Sequence, residues 1–250
     1  MSLTPALLLL ADSRLPAGGH AHSGGMEAAT VAGLVGDEHS LEGFLRGRLA
    51  TAGLASAGLA AAACGHASEV AAGAPACWAG LDAEAAARTP SPAQRTAARV
   101  QGRALLRAAR AAWPHPVLDS LAAGGGLAAD PAAVGPAAPY HPIVLGACAW
   151  ITGGTPGDAA LIAATAAITG PASAAIRLLG LDPLTVTGLL ARLGPETAAV
   201  AAHAASAAEH GATGTTATGT RWAALPAPAS PGLDLLAERH AQEEVALFES

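Results

Sequence analysis

Two histidines in a glycine-rich segment are the residues whose types and spacing come closest to a reactive site. His20 and His22 are one residue apart, and the carboxylates of Asp12 and Glu27 lie on either side of them in the sequence. Imidazoles spaced in this way can share Ni(II) or Zn(II), but a protein metal site needs three or four ligands with supporting hydrogen bonds. A histidine-centred metalloenzyme or metal-binding protein, with His240 as a further ligand, is therefore the alternative hypothesis. The interpretation we favour is that His20 and His22 are loop or interface histidines without a metal.

The sequence contains no other pattern typical of an active site. It has no lysine, which excludes a phosphate-binding P-loop, and no asparagine, which excludes a Cys-His-Asn triad. The patterns Gly-x-Ser-x-Gly, His-Glu-x-x-His and Cys-x-x-Cys are also absent. We therefore predict that the chain is not an enzyme and that it binds no cofactor tightly.

A row of arginines follows the predicted helix start at Ser91. At about 100° per residue these arginines cover roughly a third of the helix circumference, and no acidic residue lies between Glu84 and Asp119. This basic ridge consists of Arg95, Arg99, Arg103, Arg107 and Arg110. It is either a contact for an acidic protein surface or a phosphate, or a solvated helix face, and the pattern alone does not decide between these interpretations. For the contact, Arg99 and Arg103 are the predicted partner-binding residues.

Composition restricts the class of protein. The 250 residues carry a formal net charge of -6 and 3% aromatic side chains, which argues against a nucleic-acid partner. The 3 cysteines are far apart in the sequence, which suits a reducing compartment. No secretory signal is predicted, and Gly and Pro interrupt the apolar stretches before they reach the length of a membrane span. We expect a cytoplasmic protein with neither a membrane nor a nucleic-acid partner.

The middle of the chain is predicted to form the core. Asp158 is the only formally charged residue between Tyr140 and Arg177, so this stretch is expected to be buried among other helices. Gly and Pro divide it into helices at about 142–152, 156–169 and 171–179. The predicted fold is an all-α, single-domain helical bundle with a buried central helical hairpin.

The end of the chain is predicted to be an arm. We assign residues 1–210 to a helical core domain, residues 211–232 to a mobile Gly/Thr/Ala/Pro linker, and residues 233–250 to a C-terminal helix of the same domain. That helix is amphipathic, with His240, Leu247 and Phe248 on its apolar side. A terminal helix on a loose tether is typical of a partner-binding segment.

The segment from Asp12 to Glu27 resembles the N-terminal motif of the UreF family of urease accessory proteins, Ser/Asp-x-x-Leu-Pro-x-Gly-Gly-x-x-x-Ser-x-Gly-x-Glu. Two later segments resemble the family in the same order: residues 169–179, with Arg177 at a basic position, and the end of the chain, with Leu-Phe-x-Ser. The chain departs from the family at His20 and His22, where an aromatic residue and a tyrosine are usual. It also departs at residues 180–183. We interpret it as a divergent member.

The resemblance implies a function that the residues alone do not reveal. A UreF protein is a urease maturation chaperone, a helical homodimer that joins the accessory protein UreD (also called UreH) to the GTPase UreG. It modulates GTP-dependent insertion of nickel into apo-urease, and the nickel is handled by the complex. The partner-binding residues implied by the matching segments are Gly18, Gly19, Ser23, Gly25, Glu27, Arg177, His240, Leu247 and Phe248.

Overall fold

The computed structural model describes residues 4–17, 22–123, 138–213 and 221–242, and within these ranges the chain contains helices and no β-strand. This confirms the predicted all-α, single-domain fold. A π-helical turn at Leu49–Gly53 joins α3 to α4. The helices are α1 (Pro5–Ala11), α2 (Met26–Val31), α3 (Glu38–Arg48), α4 (Leu54–Ala71), α5 (Trp78–Ala87), α6 (Pro92–Ala112), α7 (Pro116–Ala122), α8 (His141–Ile151), α9 (Pro156–Leu179), α10 (Pro183–Thr213) and α11 (Pro231–His240).

Helices α4, α8, α9 and α10 form the centre of the bundle. Helix α4 packs along the other three, so the predicted hairpin of α8 and α9 is only part of the core. The backbones of α4 and α8 approach so closely that a Cβ on Gly146 would lie 2.2 Å from the Ala60 carbonyl oxygen. A core with few aromatic side chains is therefore filled by close contact between helix backbones.

Side-chain caps confirm several of the predicted helix starts. Thr155 Oγ1 accepts a hydrogen bond from the Asp158 backbone at 3.2 Å, and Asp158 Oδ2 accepts one from the Thr155 backbone at 2.8 Å. Asp37 and Ser40 form the same reciprocal arrangement at the start of α3. Ser91 caps α6. These caps satisfy backbone N–H groups that the first turn of a helix leaves without partners.

The predicted helix break at Gly170 and Pro171 is wrong, because α9 continues through both residues. A proline has no N–H, so the carbonyl of Ala167, four residues earlier, loses its usual partner. Arg48 Nε donates a hydrogen bond to that carbonyl at 3.0 Å and replaces the missing one. Helix α10 likewise runs through Pro195, where a new helix start was predicted.

Residues 221–230, predicted as part of a mobile linker, are packed against the bundle. Trp222 and Leu225 are 4% and 3% exposed. The guanidinium of Arg88 donates hydrogen bonds to the carbonyls of Leu225 at 2.8 Å and Pro226 at 3.0 Å. Because this segment is fixed on the bundle, the start of α11 that follows it is fixed as well. Residues 211–213 of the predicted linker belong to α10, and residues 214–220 lie outside the described residues.

Among the described residues, two helical stretches are long and apolar enough to cross a membrane, Glu38–Ala71 and Pro156–Leu179. In their most apolar windows 67% and 50% of the residues are buried inside the fold. Packing against neighbouring helices therefore accounts for much of their apolar character.

Candidate partner-binding site

Residues 22–27, the second described part of the amino-terminal motif, form the turn into α2 and its first residues. Ser23 is 1% exposed, and its Oγ accepts a hydrogen bond from the Glu27 backbone N–H at 3.3 Å. Gly24 and Gly25 have φ angles of 62° and 86°, in the left-handed region that side-chain-bearing residues rarely adopt. The glycines therefore set the turn that leads into α2. Residues 18–21 of the motif, which include Gly18, Gly19 and His20, lie outside the described ranges.

Helix α11 docks on α2 and brings the two ends of the chain together. His240 Nε2 lies 3.4 Å from Glu27 Oε2, and the two residues are 4% and 6% exposed. A Cβ on Gly25 would lie 3.7 Å from Leu233 Cδ2 of α11. Sequence analysis identified both segments as partner-binding candidates, and the structure places them in one site.

A carboxylate that the sequence analysis did not select also fixes α11. Glu238 Oε1 accepts a hydrogen bond from the Ala93 backbone N–H at 2.9 Å, and Ser91 Oγ donates to the same oxygen. These hydrogen bonds lower the pKa of Glu238. A negative charge at the amino terminus of α6 is stabilised by the helix dipole. The predicted tail residues Leu247 and Phe248 lie beyond the described part of α11.

Arg48, at the end of α3, packs against the glycine turn of the motif at Gly24. A Cβ on Gly24 would lie 3.0 Å from Pro171 Cγ and 3.1 Å from Arg48 Nη2, so the turn, the arginine and α9 are in direct contact. Burial lowers the pKa of Arg48 to about 10. Sequence analysis missed this residue. The available signal was the proline within α9, which requires a hydrogen-bond donor from elsewhere in the fold.

The predicted basic ridge on α6 is not one exposed face. Arg99 is 3% exposed, and its Nη2 lies 3.0 Å from Asp82 Oδ2. Its guanidinium carbon lies 4.1 Å from the centre of the Tyr140 ring, a cation–π contact. Arg103 and Arg107 are exposed. The placement of Arg99 on a partner-facing surface is therefore corrected: its charge is neutralised inside the fold by a residue of α5.

His22, a predicted metal candidate, is 7% exposed and neighbours His141. Burial and repulsion from His22 lower the pKa of His141 to about 4. His240, the further ligand of the alternative hypothesis, contacts Glu27. In the part of the chain that the structure describes, no group of three or more His, Cys, Asp or Glu side chains is placed to hold a metal ion.

Comparison with known proteins identifies the family. A model of the UreF family matches residues 35–194. The chain belongs to the UreF family. It is 41% identical over 251 residues to the urease accessory protein UreF of Mycobacterium sp. (strain JLS) and 41% identical over 250 residues to that of Mycolicibacterium vanbaalenii. It is 40% identical over 250 residues to the UreF of Mycobacterium marinum. In all three comparisons 100% of both chains is covered.

The family model and the full-length relatives cover different parts of the site. The matched span, residues 35–194, contains Arg48 and Pro171 but neither the amino-terminal motif nor α11. The full-length relatives extend over both. The family model therefore covers α3 to α9 and the start of α10, and the alignments with the relatives also cover α2 and α11.

A groove beside the motif is a further candidate surface of this UreF protein. It has a volume of about 720 Å³ and is lined by residues of α1, α8 and α9, with a few residues of α3, α4 and α6 among its lining. Leu8 and Leu161 on its wall are 55% and 38% exposed. Arg177, at the family's basic position, is exposed and also lines the groove. Exposed leucines beside an arginine are typical of protein contacts.

Proposed function

We propose that this protein is a non-enzymatic adaptor in urease maturation. It joins UreD (UreH) to the GTPase UreG and modulates GTP-dependent insertion of nickel into apo-urease. The observation that carries the proposal is the similarity to urease accessory proteins UreF, at 41% identity over 100% of both chains. The helical bundle with exposed leucines supports a role in binding other proteins.

The proposal includes the setting in which the adaptor works. The protein acts in the cytoplasm as a homodimer, and apo-urease is the final recipient of the nickel. Nickel is cargo handled by the assembly, and this chain holds no cofactor tightly. Metal analysis of the purified protein tests that point, because a metalloenzyme centred on His20 and His22 would carry near-stoichiometric metal.

The first experiment tests assembly. The chain is co-expressed with UreD and UreG and analysed on a size-exclusion column, with the mass of the isolated chain measured by light scattering. The wild type should co-elute with both partners and should have the mass of a dimer alone. Separate elution of all components at micromolar concentration would contradict the adaptor function.

The second experiment tests the carboxy-terminal segment. Deletion of residues 243–250 leaves the His240–Glu27 contact in place, so the helical circular dichroism should be retained. Loss of the large apolar side chains Leu247 and Phe248 from an interface, each contributing about 2 kcal/mol, should abolish co-elution with UreD. A truncated chain that still co-elutes would exclude this segment as the anchor.

The third experiment tests the exposed part of the basic ridge. The double substitution Arg103→Glu with Arg107→Glu should weaken complex formation, and the effect should shrink as salt rises because exposed charges are screened. The matched control is Arg46→Glu with Arg192→Glu, which reverses two exposed arginines near α10. Equal binding by both double variants at low salt would make the ridge a solvated face.

A further inference from the structure

The guanidinium group of Arg48 has five N–H donors, and most of them have no acceptor among the described residues. It is half-buried, and burial lowers its pKa to about 10. Among the described residues it makes one hydrogen bond, from Nε to the Ala167 carbonyl, and no carboxylate lies within ion-pairing distance. Its two terminal amino groups therefore have no protein acceptor within the described part of the chain.

These amino groups stand where two cavities meet. The smaller cavity has a volume of about 170 Å³ and the larger is the groove of about 720 Å³. Both are lined by Arg48 together with His22, Ser56, Gln101 and His141. The shared wall thus combines a cation with imidazole, hydroxyl and amide groups that can donate hydrogen bonds.

The carboxylates that line the cavities are held elsewhere or lie apart. Asp12 forms an ion pair with Arg14 at 2.6 Å, and Asp158 caps α9 by its hydrogen bond with Thr155. Asp234 lines only the smaller cavity, and burial raises its pKa. None of the three forms an ion pair with Arg48 in the structure described. The shared wall is therefore cationic without an internal counter-charge.

A guanidinium that is partly shielded from water and has no counter-ion is less well stabilised than one in bulk water, and a ligand that supplies the counter-ion is correspondingly favoured. The planar fork of an arginine matches a carboxylate or a similar planar oxyanion. We propose that Arg48 is the receptor for a planar oxyanion of the carboxylate class at the junction of the two cavities. The carboxylate comes either from a small free anion or from an acidic side chain of a partner protein. The second source rests on the proposed adaptor function.

Position along the chain supports a recognition role for Arg48. It is the last residue of α3, directly before the π-helical turn at Leu49–Gly53. Such turns are frequently found at functional sites, because they redirect the side chains of a helix. The Nε hydrogen bond to Ala167 fixes the guanidinium plane before any ligand arrives.

The first arm of the test uses acetate as the probe. Thermal unfolding of the full chain is followed in acetate and in chloride at constant ionic strength. The variants are Arg48→Gln and, as a control for charge, Arg192→Gln, an exposed arginine of α10. A bound anion raises the unfolding midpoint with its concentration. The unfolding midpoint of the wild type and of Arg192→Gln should rise with acetate concentration. The midpoint of Arg48→Gln should not change with acetate.

The second arm asks whether the carboxylate belongs to a partner. Co-elution with UreD and UreG is compared for the same variants and for Arg48→Lys, which keeps the charge but loses the planar fork. If acetate has no effect, the proposal requires that Arg48→Gln and Arg48→Lys lose at least tenfold in partner affinity while Arg192→Gln keeps it. If no variant and no wild type binds a partner, the adaptor function fails, and the acetate arm alone decides the role of Arg48.

A measurement on the wild type protects the test against misfolded variants. Phenylglyoxal modifies accessible arginines, and mass spectrometry reads the modification at each position. Acetate should reduce modification of Arg48 and leave that of Arg192 unchanged when the free anion is the ligand; bound partner should protect Arg48 when the partner supplies it. The proposal is overturned if neither acetate nor the bound partner changes the modification of Arg48. It is also overturned if acetate raises the unfolding midpoint of Arg48→Gln as much as that of the wild type.

Discussion

His240 Nε2 lies 3.4 Å from Glu27 Oε2 in a buried contact between α11 and α2. The two residues come from opposite ends of the sequence, and each belongs to a segment that resembles the UreF family. Their contact holds α11 against the amino-terminal turn that leads into α2. Changes at either residue are therefore expected to affect both ends of the molecule.

We predict that this contact contributes measurably to stability. Glu27→Ala and His240→Ala should each lower the free energy of unfolding by about 1 to 3 kcal/mol, because each removes one polar contact of a buried side chain. The double variant should lose less than the sum of the two single losses. Urea denaturation of all four proteins measures this coupling.

The control cycle pairs His240→Ala with Glu38→Ala, whose carboxylate is exposed on α3. Those two losses should add. Additive losses in the Glu27 cycle as well would show that the two buried side chains do not interact.

The two arginine pairs of α6 should differ in strength. Asp82→Ala leaves the buried Arg99 without its carboxylate and should cost about 3 to 5 kcal/mol. Asp119→Ala removes the partner of Arg110, whose side chain is 50% exposed, and should cost about 0 to 1 kcal/mol. Thermal and urea unfolding provide the comparison. Equal losses from the two substitutions would contradict the burial of Arg99.

Backbone contact between α4 and α8 gives a further test. Gly146→Ala places a Cβ 2.2 Å from the Ala60 carbonyl oxygen, so the helices must separate and the variant should lose about 3 kcal/mol or more. Gly43→Ala on α3 meets no atom within 4 Å. It should be neutral or gain up to about 1 kcal/mol from the higher helix propensity of alanine. Similar stability of the two alanine variants would mean that α4 and α8 are farther apart than described.

Local features of the fold could be predicted from the sequence. A cap such as Thr155 with Asp158 needs residues only three positions apart, so a short pattern contains the whole interaction. The burial of α8 and α9 was equally accessible, because a long stretch without charge has to be shielded from water.

The features that were not predicted correctly depend on residues that are far apart in the chain. Pro171 is compatible with a continuous helix because Arg48, 119 positions from Ala167, supplies a hydrogen bond. Arg99 is buried because Asp82, 17 positions earlier and on another helix, neutralises it. Periodicity reports which face a residue occupies but not what covers that face. The joining of Glu27 to His240 escaped prediction for the same reason.

The last prediction concerns acid stability. Burial, and secondly repulsion from His22, lower the pKa of His141 from 6.5 to about 4, so its imidazole is neutral in the folded protein over that interval. The unfolded chain takes up a proton near pH 6.5 that the folded chain does not bind until about pH 4. Stability from this group is therefore fully present above pH 6.5 and is lost as the pH falls toward 4.

His141→Gln should reduce that loss by about 1 to 3 kcal/mol, because glutamine does not titrate. The dependence of stability on pH should become weaker but should not disappear, since burial also lowers the pKa of His66. His39→Gln, at an exposed position of α3, is the matched control and should keep the wild-type slope. Unfolding midpoints at a series of pH values measure the effect. If His141→Gln and His39→Gln show the same slope, the imidazole of His141 is not shielded from solvent and protons in the folded protein.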